Sequence, residues 1–189
     1  MKNRTFNIVI SGTGGQGLIT LLQIIAEAAL IEGLDIKTSE LHGLSQRGGA
    51  VETHIRFGKK VYSPLVASGS ADLILGLETL ESLRALSYAN SKTIFLVNKF
   101  TLSFLGSPKE KEILRKLKSL VKNPRIIPAS EICKKELGKE VVSGIYLLSY
   151  AVFNKLIPLK SISILKAIDK VVPERYLELN KQAFELAKK

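Results

Sequence analysis

A short buried strand that runs into clustered glycines and then into a helix leaves a chain few ways to fold, and this sequence opens that way. Phe6-Asn7-Ile8-Val9-Ile10 reads as the strand, and Ser11-Gly12-Thr13-Gly14-Gly15-Gln16-Gly17 as the loop. Leu18, Leu21, Leu22, Ile25, Ala26 and Ala29 then recur at helical spacing until Gly33 stops the helix. Asp35 to Glu40 reads as a second strand. The crossover rule predicts that it lies parallel to the first and next to it.

The polar loop Leu41 to Gly49 follows. Val51, Thr53, Ile55 and Phe57 then alternate with Glu52, His54 and Arg56, which predicts a strand with one wet face. A turn at Gly58-Lys59 and a return through Val61-Tyr62 would make it an antiparallel hairpin. The α/β rhythm resumes with a strand over 72–77, a helix over 79–88 and a strand over 93–98. Beyond these, the spacing predicts a helix over 112–121, a short strand at 125–127, and helices over 130–137, 141–155, 162–170 and 174–187. The fold class expected is therefore α/β: a Rossmann-like three-layer fold with a mostly parallel sheet, one antiparallel hairpin insertion and a helical C-terminal region. All 189 residues are expected in one domain, with the helical part from about residue 130.

Composition narrows the function. A lone cysteine, Cys133, excludes a disulfide framework within the chain and a cysteine-built iron–sulfur cluster or zinc site held by this chain alone. The N-terminus lacks the long apolar run of a signal peptide, and the longest apolar stretch, Val141 to Ile157, is too short and too interrupted for a comfortable membrane span. A cytoplasmic protein that binds no membrane is expected. The net charge of +11 is uneven: residues 1–107 hold 10 basic against 8 acidic residues, and residues 108–189 hold 18 against 9. The lysines are spread along helical patterns, so they read as solvated helix faces rather than a nucleic-acid footprint. The segment Lys109 to Arg125 is the densest, and docking of an acidic partner is its sharper reading.

Three places carry candidate chemistry. Gly12, Gly14 and Gly17 form a G-x-G-x-x-G pattern between a strand and a helix, where glycines let the backbone approach a phosphate and the helix N-terminus offers free N–H groups. Gly15 and Gln16 complete this loop, and Glu40 stands where a dinucleotide fold places its ribose-binding acid. The second place is the loop containing His42, Ser45, Gln46, Arg47, Gly48 and Gly49. It follows a strand, faces the same crevice, and supplies in Arg47 a fork for a carboxylate or phosphate. The third is Glu78, at the end of a strand, with capping of the following helix as an equal explanation.

The segments Gly12-Thr13-Gly14-Gly15-Gln16-Gly17, Ser39 to Gly49, Tyr62-Ser63-Pro64, Gly76-Leu77-Glu78 and Val172-Pro173-Glu174-Arg175-Tyr176 together resemble the gamma-type domain of 2-oxoacid:ferredoxin oxidoreductases. Within that group they look like the beta subunits of indolepyruvate ferredoxin oxidoreductases. Ser45-Gln46-Arg47-Gly48-Gly49 is the specific part, and the resemblance covers nearly the whole chain. One departure is Val141-Val142-Ser143-Gly144, which replaces an Asn-containing helix start.

The resemblance implies a subunit of an enzyme that oxidatively decarboxylates a 2-oxoacid to an acyl-CoA, carbon dioxide and reduced ferredoxin. Thiamine diphosphate and the iron–sulfur clusters would sit on a large cysteine-rich partner, with ferredoxin engaged through the complex. This chain would hold no cofactor alone, would be inactive alone, and would lend its glycine loop to coenzyme A. A stand-alone NAD- or nucleotide-binding Rossmann protein is the alternative, and a purely structural assembly subunit is a third reading.

Overall fold

The computed structural model describes residues 4–43 and 48–188. Six strands form one sheet: β1 (Phe6–Thr13), β2 (Asp35–His42), β3 (Ala50–Gly58), β4 (Leu73–Gly76), β5 (Ile94–Asn98) and β6 (Arg125–Ile127). Their order is β2-β3-β1-β4-β5-β6. β1, β4, β5 and β6 run parallel, whereas β3 is antiparallel to both β1 and β2. The expected mixed sheet with one antiparallel hairpin is thus present.

Two details of that expectation are corrected. β2 is not the neighbour of β1, because β3 lies between them. Burial explains the order: Thr53, His54 and Ile55 are covered on both faces, whereas most of β2 beyond Ile36 is exposed and suits a sheet edge. The hairpin is formed by β2 and β3, and not by a return of the chain after Gly58. Residues 59–69 instead run as irregular chain, held where the Asp35 carboxylate accepts the Val61 N–H at 2.7 Å.

The helices are α1 (Leu18–Ile31), α2 (Thr79–Arg84), α3 (Glu110–Leu120), α4 (Ala129–Leu137), α5 (Ser143–Phe153), α6 (Ser161–Val171) and α7 (Glu174–Leu186). Alternation along β1 divides the layers. Ile8 and Ile10 point into the larger core with α1 and α4–α7, and Val9 points into the smaller one with Ala85, Leu117 and Val121. Gly144 opens α5 where a Cβ would stand 2.8 Å from Leu21 Cδ1, so α5 lies close on α1. Among the described residues, no helix is long and apolar enough to cross a membrane.

Candidate functional site

β1 carries the chain through Gly12 and Thr13 before the turn begins. Gly15 (φ 101°) and Gly17 (φ 79°) take the left-handed conformations the turn requires, and Gly17 is the N-cap of α1. No side chain caps that helix, and a Cβ on Gly15 or Gly17 would meet nothing within 4 Å. The first-turn amides and the positive end of the α1 dipole therefore stand free at the carboxyl end of β1. Gly12 serves packing instead, since its Cβ would lie 2.7 Å from Gln16 Oε1 and 3.1 Å from Leu77 Cβ.

The antiparallel β3 brings the hairpin loop to the same place, since Ala50 pairs with Thr13. Gly14 N donates to Gly49 O (2.9 Å) and Gly48 N to Gly14 O (3.3 Å), so the two loops are laced through their backbones. Between them opens a cleft of about 470 Å³ lined by Gly14, Gly15, Gly17, Leu18, Ile19, His42 and Val51. His42 lies at the exposed end of β2, its Nδ1 3.2 Å from Gly43 O. Gly14, Gly15, Gly17 and His42 are thus brought together at the cleft, with Gly48 and Gly49 as its backbone brace. Ser45, Gln46 and Arg47 lie outside the described residues.

Two candidates turn out to be occupied by the fold. The Gln16 carboxamide accepts from Thr13 N (2.8 Å) and donates to Leu77 O (3.2 Å), bracing the turn from below. The Glu78 carboxylate, 2% exposed, accepts from Glu81 N (2.8 Å) at the start of α2 and from Leu102 N (3.1 Å). Glu78 is itself the N-cap, and burial raises its pKa against those bonds. Glu40 does not stand beside β1 at all, because β3 intervenes. The ribose contact of a dinucleotide fold is therefore not reproduced, which removes the geometric basis of the NAD alternative.

Sequence reasoning missed a buried polar network on the opposite face of β3. His54, 2% exposed, accepts the Val66 N–H at Nδ1 (2.9 Å), so its proton sits on Nε2, which donates to Glu52 Oε1 (2.8 Å). Tyr88 packs edge-on to the His54 ring, with ring centroids 4.9 Å apart. Burial alone would raise the Glu52 pKa, but the His54 hydrogen bond and the nearby Tyr88 hydroxyl outweigh it and hold it below the usual 4.5. Tyr88 is pushed up to about 12, by burial and then by Glu52. A depressed carboxylate pKa adds stability that is fully present above the unfolded value and is lost as the pH falls through the folded one. Glu52→Gln should therefore flatten the acid limb of a melting-temperature profile below pH 4.5; an unchanged limb would remove Glu52 from the acid response.

Cys133 is fully buried in α4, and burial pushes its thiol up to about 11, which suits packing and not metal ligation. Among the described residues, no group of three or more His, Cys, Asp or Glu could hold a metal ion.

Comparison with known proteins agrees with this architecture. Two curated relatives are both described as "Indolepyruvate oxidoreductase subunit IorB". The one from Archaeoglobus fulgidus is 34% identical, covering 95% of this chain and 92% of its own length. The one from Pyrococcus horikoshii is 30% identical, covering 98% and 96%. Among solved structures, a keto/oxoacid ferredoxin oxidoreductase gamma subunit from Geobacter sulfurreducens superposes with a TM-score of 0.72 at 24% identity, over 97% of this chain and 96% of that one. The 2-oxoglutarate:ferredoxin oxidoreductase from Magnetococcus marinus gives 0.73 at 20% identity over 98% of this chain, but only 31% of that one. These two likenesses concern the fold. The family model "Pyruvate ferredoxin/flavodoxin oxidoreductase" matches residues 7–189, nearly the full length, and the chain belongs to that family.

Proposed function

We propose that the chain is the small subunit of an indolepyruvate-type 2-oxoacid:ferredoxin oxidoreductase, and that its glycine cleft holds the pyrophosphate of coenzyme A. The observation that carries the subunit reading is similarity along almost the entire chain to subunits named for indolepyruvate oxidation. The chain's own chemistry is consistent with a dependent subunit. Its one thiol is buried, so thiamine diphosphate and iron–sulfur chemistry fall to a large partner that delivers electrons to ferredoxin.

The cleft suits a phosphate ligand for physical reasons. Uncapped amides at the start of α1 supply hydrogen-bond donors and a positive field, and the absent Cβ atoms at Gly15 and Gly17 allow close approach. Ile19 and Val51 add apolar wall. His42 is a polar group at the rim, and Arg47 is retained on sequence grounds as the cation for the ribose 3′-phosphate.

The test is reconstitution. The purified chain should be colourless, bind no iron, and show no indolepyruvate-dependent dye reduction with coenzyme A. Co-expression with a large cysteine-rich subunit should yield a stable complex with that activity. Turnover by the isolated chain would sink the subunit reading. Tight NAD binding to the assembled complex, with no detectable coenzyme A binding, would sink the assignment of the cleft.

A further inference from the structure

The start of α1 is shared by two openings. Gly17 lines the glycine cleft and also a second groove of about 360 Å³ on the other flank of the helix. Ile19 belongs to the cleft, whereas Thr20 and Leu21 belong to the groove, because each helical residue is turned by about 100° from the one before it. Two segments that stood out in the sequence without a role meet there: Val141–Gly144, at the entry to α5, and Val172–Tyr176, at the entry to α7.

The groove is mostly apolar, with buried Leu21, Val142 and Ile145 among its lining. Asn180 stands in it with bonding capacity unused. The residue is 9% exposed, and its Nδ2 donates to Tyr176 O one turn back at 2.8 Å. That carbonyl can only accept, which fixes the orientation of the carboxamide and leaves Oδ1 without a partner among the described residues. Thr20 adds a hydroxyl to the same groove. Among the described residues that line it, none is Lys, Arg or His.

These features select one part of the coenzyme. From its pyrophosphate, coenzyme A continues in two directions: to an adenosine that carries a 3′-phosphate, and to a pantetheine arm of methyl-bearing carbons and two amides that ends in the thiol. A 3′-phosphate in this groove would be desolvated with no cation to pair it, which is costly. The arm instead lays apolar carbon on the walls and brings amide N–H groups to a few placed acceptors, the usual division of labour in a small-molecule site. Val141 and Tyr176 line the groove and are 57% and 47% exposed, so it stays open to the surface, as an arm that hands its thiol to a partner subunit requires.

We propose that the groove between α1, α5 and α7 is the pantetheine subsite, with Asn180 Oδ1 accepting one amide N–H of the arm and the Thr20 hydroxyl bonding the other amide. The inference rests on the assignment of coenzyme A to the glycine cleft. The pyrophosphate sits at Gly17, which both openings share, and the adenosine stays on the cleft side with His42.

The experiment is calorimetric titration of the assembled complex with coenzyme A and with adenosine 3′,5′-bisphosphate, which lacks the arm. Thr20→Val keeps the side-chain shape and removes the hydroxyl, and Asn180→Leu removes the acceptor at similar volume. Each should weaken coenzyme A by about three- to ten-fold, as loss of one hydrogen bond does, and leave the bisphosphate unchanged. Val141→Trp adds bulk at an exposed position of the rim and should weaken coenzyme A by roughly ten-fold or more, as overpacking the groove does. If Asn180→Leu fails to fold, Thr20→Val and Val141→Trp decide; if the bisphosphate binds too weakly to measure, the coenzyme A values decide. Wild-type affinity for coenzyme A in Thr20→Val and Val141→Trp overturns the inference, and so does an equal loss for both ligands. A loss confined to the bisphosphate would put the adenosine in the groove and overturns it as well. Coenzyme A that fails to bind the wild-type complex sinks the assignment of the cleft instead, and this inference with it.

Discussion

Gly76→Ala is expected to destabilise the fold by about 2–3 kcal/mol, at the upper end of the range for overpacking a core. A Cβ at Gly76 would lie 1.8 Å from Ser82 Oγ and 2.7 Å from Ser82 Cβ. Rotating the hydroxyl relieves only the first contact and breaks its 2.6 Å bond to Glu78 O. The second contact persists in any rotamer, so α2 must retreat from β4 and strain the Glu78 cap. For a chain of this size the loss corresponds to a drop of roughly 5–10 °C in melting temperature. Ser82→Gly, added to Gly76→Ala, removes both contacts and should recover part of the drop. A single variant that melts with the wild type would mean that α2 is not seated on Gly76.

Gly17→Val should raise KM for coenzyme A in the assembled complex by ten-fold or more. At φ 79°, a residue with a Cβ is strained by about 1–2 kcal/mol, and a β-branched one by more. No neighbour obstructs the Cβ, so the damage comes from backbone strain at the N-cap and from methyl groups entering the phosphate approach. Gly17→Asn separates the two effects. Asparagine tolerates the left-handed region, so this variant should keep the wild-type melting temperature while still hindering the ligand. A wild-type KM in both variants would place coenzyme A elsewhere.

The elements of the fold were largely legible in the sequence, because Leu18–Ala29 keep helical periodicity and Phe6–Ile10 and Leu73–Leu77 are continuous apolar strands. The sheet order was not legible. Glu52, His54 and Arg56 alternate with apolar residues as a solvated strand face does, yet His54 is buried beneath Val66 and Tyr88. Alternation reports polarity; it does not report whether a covering segment satisfies the polar groups. The same limit applies at the site. Gln16 and Glu78 are the right residue types beside the right loop, but each bonds backbone groups far along the chain, which no local pattern records. The left-handed turn at Gly15 and Gly17 was legible because its requirement is local, whereas the packing role of Gly12 against Gln16 and Leu77 was not.

The glycine loop looks like the most local feature of the chain, yet the chain cannot set it from local residues alone. β1 is flanked by β3 and β4, neither of them its neighbour in sequence. The turn is pinned by Gln16 reaching Leu77, 61 residues away, and by Gly14 bonding to Gly48 and Gly49. Each of these long closures has to be made before any bond rewards it, at an entropic cost that grows slowly with sequence separation. A chain emerging from the ribosome therefore cannot brace this turn until Leu77 is available.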